Sequence, residues 1–188
     1  MKAGLILLLT LLIVSCGGPE PRRPVKVKSG SFFKESVERN KLLLAKEEKI
    51  IQEIISLDTL HTYTANPNGF WYYFDIHNDT AQYTPKTDDQ ILFSYNVRNL
   101  ENDTIYTMKD IGPVSYTIDK EQIFPGLQNA VKLLKINERA TFVFPSLQAY
   151  GYLGDGEAIA PRTPIKATVE LHTIIINQDS LNLKSQVK

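Results

Sequence analysis

The sequence predicts an α+β fold: an antiparallel half-barrel β-sheet wrapped around a short helix, preceded by a long N-terminal helix. Three observations predict it. Phe32 to Ser56 carries apolar residues at helical spacing. From Phe70 onward the chain breaks into short strand-like runs separated by turn residues. One helical stretch, Leu127 to Leu134, interrupts those strands.

The first 15 residues read as a secretion signal. Lys2 supplies the positive end, and Leu5 to Val14 is an apolar run broken only by Thr10, too short to span a bilayer. The run ends at Ile13-Val14-Ser15-Cys16. A small residue before a cysteine resembles a bacterial lipobox. That resemblance implies cleavage before Cys16 and a lipid on its thiol, and several acyl chains on one residue anchor stably. Glycine rather than aspartate at position 17 implies the outer membrane, with the domain facing the periplasm. Cys16 is also the one cysteine of the chain, so the mature domain is expected to be stable by packing alone, without an internal disulfide.

Residues 16–31 read as the lipidated cysteine and a flexible tether rich in Gly and Pro. Residues 32–58 are expected to be helical. Phe33, Val37, Leu44, Ile51 and Ile55 fall near one face, and Leu43, Ile50 and Ile54 widen it. The helix packs on its own domain, or it docks a second copy or a membrane-complex partner. The main domain is expected over 60–177, with a C-terminal tail over 178–188.

Within the domain, Asn66-Pro67-Asn68-Gly69 is a turn before the aromatic strand Phe70 to Ile76. Thr84 to Gln90 is a polar turn segment in which Asp88-Asp89 reads as solvated. Strands are expected at Ile91–Val97, Thr104–Thr107 and Val114–Ile118. Leu127, Ala130, Val131 and Leu134 mark one helical face at i, i+3, i+4 and i+7. Lys132 and Lys135 suit the end of that helix, and Asn137 tolerates the left-handed turn after it. Strands follow at Ala140–Phe144 and Ile165–Ile175, the latter with one apolar face.

Composition excludes several chemistries. Lys+Arg and Asp+Glu balance at 21 each, so nothing argues for nucleic acid. His61, His77 and His172 are scattered without metal-ligand spacing. Gly151 to Gly156 lacks the lysine and the strand–helix context of a phosphate loop and reads as a flexible loop over a pocket. No serine sits in a nucleophile elbow.

The ordered set Leu92-Phe93-Ser94-Tyr95, Thr104-Ile105-Tyr106, Ile123-Phe124-Pro125-Gly126, Phe144 to Gly151 and Ile159-Ala160-Pro161 resembles the FKBP-type peptidyl-prolyl cis-trans isomerases over residues 60–177. The resemblance implies an FKBP-like half-barrel that needs no cofactor and no metal. It implies a prolyl pocket with Tyr95, Tyr106, Ile123, Phe124, Leu127 and Tyr150 in the catalytic lining. It implies that Val114, Tyr116, Ile159 and Pro161 bind substrate. The Phe124 N–H and the Tyr150 hydroxyl would hold substrate carbonyls. Its partners would be prolyl-containing exported polypeptides. With the lipobox and the long helix, the chain resembles gliding-motility-associated FKBP-type lipoproteins of Bacteroidota.

Four positions depart from the family. Thr107 stands where aspartate is usual, Val114 where phenylalanine is common, Leu127 where tryptophan is expected, and Ala167 where the last strand carries an aromatic. Val114, Leu127 and Ala167 thin the aromatic lining. The sequence therefore carries two readings: an envelope-anchored prolyl isomerase, and an FKBP-like module that binds prolyl segments with little turnover.

Overall fold

The computed structural model describes residues 29–177, with side chains from residue 34. The expected signal peptide, Cys16 and the tail at 178–188 lie outside the described residues, as does the tether up to residue 28. The chain divides into two compact units, one up to Val37 and one from Glu38 onward. Among the described residues no helix is long and apolar enough to cross a membrane.

Helix α1 runs Ser29–Leu57. Within the second unit its apolar residues sort by depth. Ile51 is fully buried against Leu100 and Val143, and Ile54, Ile55, Tyr63 and Trp71 pack around that group. Ile50, expected on the buried face, is exposed, and so is Val37. The covered stripe runs through Leu43, Leu44, Glu47, Glu48, Ile51, Ile54 and Ile55, which leaves Ile50 outside it.

The strands are β1 (Thr64–Asn66), β2 (Phe70–Ile76), β3 (Gln90–Tyr95), β4 (Val97–Arg98), β5 (Thr104–Tyr106), β6 (Val114–Thr117), β7 (Arg139–Phe144) and β8 (Ile165–Ile175). They form one antiparallel sheet in the order β1-β2-β7-β8-β3-β6, with β4 beside β8 and β5 beside β4. Helix α2 (Met108–Ile111) follows β5, and α3 (Pro125–Ala130) continues into a 3₁₀ turn at Val131–Leu133. Leu127, Ala130, Val131 and Leu134 are all fully buried, as their spacing predicts, although the helix tightens after Ala130.

Strand β7 explains how the layers stack. Its side chains alternate between faces. Ala140, Phe142 and Phe144 join the main core beneath α3. Val143 points the other way, under Ile51 of α1. With both faces covered, β7 is buried from Ala140 to Phe144.

Strand β8 corrects the expectation of one apolar and one wet face. Ile165, Ala167, Val169 and Leu171 enter the core, but Lys166 and Thr168 on the opposite face are buried too. They remain there because they are hydrogen-bonded: Lys166 Nζ donates to Asn102 Oδ1 at 2.9 Å, and Arg98 donates to Thr168 Oγ1.

The Asp88-Asp89 turn also differs from its reading. Asp89 is 0% exposed. Its carboxylate accepts from the Tyr83 hydroxyl at 2.6 Å, the Lys86 amide at 2.9 Å and the Asn177 amide at 3.0 Å. It ties the 83–89 segment to the end of the last strand. Asn137 takes the left-handed conformation expected of it (φ 62°), and its amide donates to the Leu171 carbonyl at 2.7 Å.

Candidate active site

Half-buried aromatic rings gather on the main core at the start of α3. Phe124 sits at the start of α3 as its N-cap residue. Its ring lies 5.2 Å from Tyr150 and 6.3 Å from Tyr95, centroid to centroid. Tyr95 comes from the end of β3, and Tyr150 follows the 3₁₀ turn Ser146–Gln148 after β7. Three separate segments therefore deliver three rings to one place.

The first N–H groups of a helix have no intrahelical acceptor. Pro125 removes one of them, and the Phe124 amide donates to no group among the described residues. Gly126 lets this turn sit close to the floor. A Cβ there would lie 2.4 Å from the Phe144 ring and 2.7 Å from the Gln148 carbonyl oxygen.

The hydroxyls are tuned toward neutrality. Burial, and then the neighbouring Tyr95, push the Tyr150 phenol well above its ordinary range. Burial likewise raises Tyr95, while the bond with Tyr150 works against that rise. Tyr150 is thus a protonated hydrogen-bond donor at any physiological pH.

The loop after Tyr150 forms a flap tied to Tyr106. The Tyr106 hydroxyl donates to Asp155 Oδ2 at 2.5 Å, and the Ala158 amide donates to the Tyr106 oxygen at 3.3 Å. Asp155 Oδ1 also accepts from the Glu157 and Ile159 amides, each at 2.9 Å. Burial alone would raise the Asp155 carboxyl, but these bonds outweigh it and hold it below its ordinary value. Gly154 is required at the bend: its φ is +71°, and a Cβ would lie 2.1 Å from the Ile159 carbonyl oxygen.

The structure brings together Tyr95, Tyr106, Phe124 and Tyr150. Ile123 is half-buried against the same core. Leu127, expected in the catalytic lining, and Ile159, expected to bind substrate, are corrections: at 0% and 2% exposed they back the lining and have no surface to offer a ligand. Val114 is half-buried on β6, and Pro161 is exposed beyond the flap. Tyr116 is a correction: it is 1% exposed, packs edge-on to Phe93, and has no surface to offer a ligand. Its position on β6 turns it inward with the core side of the alternation.

Three of the sequence departures acquire reasons. Thr107 serves helix geometry. It is the N-cap of α2, and its side chain and backbone exchange bonds with Asp110 in a capping box. Around the small Ala167 and Leu127, strand β7 supplies Phe142 and Phe144, stacked at 5.8 Å, with Phe144 edge-on to Phe124 at 5.5 Å. The apolar floor is therefore still aromatic, from a different strand.

Sequence reading missed Asp155 as a site residue and saw only a flexible loop. The signal was present: Gly154-Asp155-Gly156 is turn chemistry in which an aspartate caps the amide two residues on. Among the described residues no cluster of metal-binding side chains occurs.

The geometry is a half-barrel with aromatic rings gathered at the start of α3, and comparison with known proteins shows what it is similar to. The sequence model of the FKBP-type peptidyl-prolyl cis-trans isomerases matches residues 81–172. A relative from Neisseria meningitidis serogroup B, named "Probable FKBP-type peptidyl-prolyl cis-trans isomerase FkpA", is 29% identical over 127 residues, covering 67% of this chain. The chain spans 44% of that relative's length. Among solved structures, FkpA from Escherichia coli matches with a TM-score of 0.57 at 18% identity, over 93% of this chain and 82% of that one. The N-terminal domain of FKBP42 from Arabidopsis thaliana matches at 0.54 and 17% identity, over 61% of this chain and 93% of that one. A peptidyl-prolyl cis-trans isomerase from Pseudomonas syringae pv. tomato matches at 0.54 and 19% identity, over 72% and 96%. These structural likenesses speak to the fold.

Proposed function

We propose that the whole protein is a peptidyl-prolyl cis-trans isomerase held at the cell envelope by a lipid on Cys16, acting on exported polypeptides. The observation that carries the catalytic part is the convergence of Tyr95, Phe124 and Tyr150 over an aromatic floor, with the Phe124 amide and the Tyr150 hydroxyl as donors.

Rotation about a peptide bond faces a barrier of about 18–20 kcal/mol because resonance gives the C–N bond double-bond character. X–Pro isomerisation is correspondingly slow and limits folding. A cleft walled by rings solvates the planar, dipolar amide poorly and the twisted amide relatively better. Only that difference accelerates the step. The proline ring stacks in the cleft, and the two donors hold the flanking carbonyls. A neutral Tyr150 suits this role because it donates without bringing charge into the cleft.

Envelope anchoring rests on Lys2, the apolar run Leu5 to Val14 and Ser15-Cys16. The same lipobox, helix and domain order supports a place among the gliding-motility-associated lipoproteins of Bacteroidota. Two experiments test the proposal. Cys16→Ala should move the protein from the membrane to the soluble fraction; retention in the membrane contradicts the anchor. Tyr150→Phe and Phe124→Ala should lower prolyl-peptide turnover.

A second reading keeps one observation in its favour. Leu127 and Ala167 stand where the family carries aromatic rings. On that reading the domain binds prolyl segments and releases them without turnover, and peptide binding persists where catalysis is absent.

A further inference from the structure

Tyr150 is bracketed by a single residue. The Ser146 carbonyl accepts from the Ala149 amide at 3.1 Å and from the Gly151 amide at 2.8 Å, one on each side of the tyrosine. Ser146 is buried and opens the 3₁₀ turn, so its own amide has no acceptor inside that turn. The acceptor comes from far away in sequence. Glu47 on α1 takes the Ser146 amide on Oε2 at 2.8 Å and the Ser146 hydroxyl on Oε1 at 2.7 Å. A second brace reaches the same loop, where the Arg162 amide donates to the Gly151 carbonyl at 2.8 Å.

A carboxylate on a buried amide and hydroxyl makes two charge-assisted hydrogen bonds, stronger than neutral ones. A turn held this way has few alternative conformations for the residue that follows it. We infer that Glu47 is a positioning residue for Tyr150: through Ser146, helix α1 fixes the hydroxyl that holds the substrate. The lower half of α1 is then part of the working site, and the helix is more than a spacer or a docking element. The kinetic arm of this inference rests on the isomerase reading; its structural arm does not.

The experiment uses the full chain and the variants Glu47→Ala, Glu47→Gln, Ser146→Ala and Ile51→Ala. Prolyl-peptide kcat/KM and amide hydrogen exchange at Ala149 and Gly151 are measured on each. Glu47→Ala should lose about tenfold in kcat/KM and exchange faster at Gly151. Glu47→Gln can still accept from the amide and donate to the hydroxyl, and should stay within about threefold of wild type. Ser146→Ala, which keeps the amide contact, should show a smaller loss of the same sign; it preserves the test if Glu47→Ala does not fold. Ile51→Ala loosens the helix without touching Ser146, so it should melt earlier but keep its kcat/KM per folded molecule.

Wild-type kcat/KM and exchange in Glu47→Ala would overturn the inference. So would an Ile51→Ala loss equal to that of Glu47→Ala, since activity would then merely follow stability. If the wild-type chain shows no turnover above buffer, the isomerase reading fails and the exchange arm decides alone. Faster exchange at Gly151 in Glu47→Ala sustains the positioning role, and unchanged exchange overturns it.

Discussion

The Tyr106 hydroxyl and the Asp155 carboxylate meet at 2.5 Å, joining the strand wall of the cleft to its flap. Tyr106 ends β5, and Asp155 lies in the loop that follows Tyr150. Two amides of the same loop converge on the carboxylate, so its loss would release the flap as a unit. Asp155→Ala should therefore lower kcat/KM by about three- to tenfold with little change in melting temperature. Steady-state kinetics and a thermal melt on the same sample check this.

The pH dependence follows from the same carboxylate. Its hydrogen bonds hold it below its ordinary value of 3.8. A depressed folded pKa contributes stability that is present above the unfolded value and lost as the pH falls through the folded one. Amide protection of Glu157 and Ile159 should be flat from neutral pH down to about pH 4 and fall below it. In Asp155→Asn that acid step should disappear. Hydrogen exchange across an acid series makes the measurement.

Gly154→Ala tests the shape of the flap. The substitution places a Cβ in contact with the Ile159 carbonyl at a positive φ. The expected outcome is a flap that cannot close: the Asp155–Ile159 bonds open, and kcat/KM falls by about tenfold or more. The sheet and α3, which lie outside the loop, should keep their far-ultraviolet circular dichroism.

Ile51→Ala removes a fully buried side chain between α1 and the sheet. The cost should be about 2–4 kcal/mol, read as a lowered denaturation midpoint. The same contact means that removing residues 32–56 strips part of the domain's packing. That agrees with the sequence-based alternative in which the helix packs on its own domain.

Much of this was legible in the sequence because it is local. The period-2 strands, the Leu127–Leu134 face, the Asn66–Gly69 turn and the left-handed Asn137 each follow from a few neighbouring residues. The rings of Tyr95, Phe124 and Tyr150 were legible through their family resemblance. What escaped depends on distance or on small polar residues. Thr64-Ala65-Asn66 has no apolar alternation, so β1 showed no signal before its hairpin with β2. Four residues, Met108–Ile111, are too few for a helical period. Asp89 looks solvated until the chain end comes back to cover it, and Glu47 looks like one more surface charge until Ser146, nearly a hundred residues on, arrives beneath it.

The most direct test is a protease-coupled prolyl-peptide assay on the full chain, with Tyr150→Phe and Phe124→Ala beside it. The account predicts turnover above the uncatalysed rate, lowered about tenfold by Tyr150→Phe and further by Phe124→Ala, with folding intact by circular dichroism. A folded wild-type protein that accelerates nothing, or a Tyr150→Phe variant as fast as wild type, would contradict it.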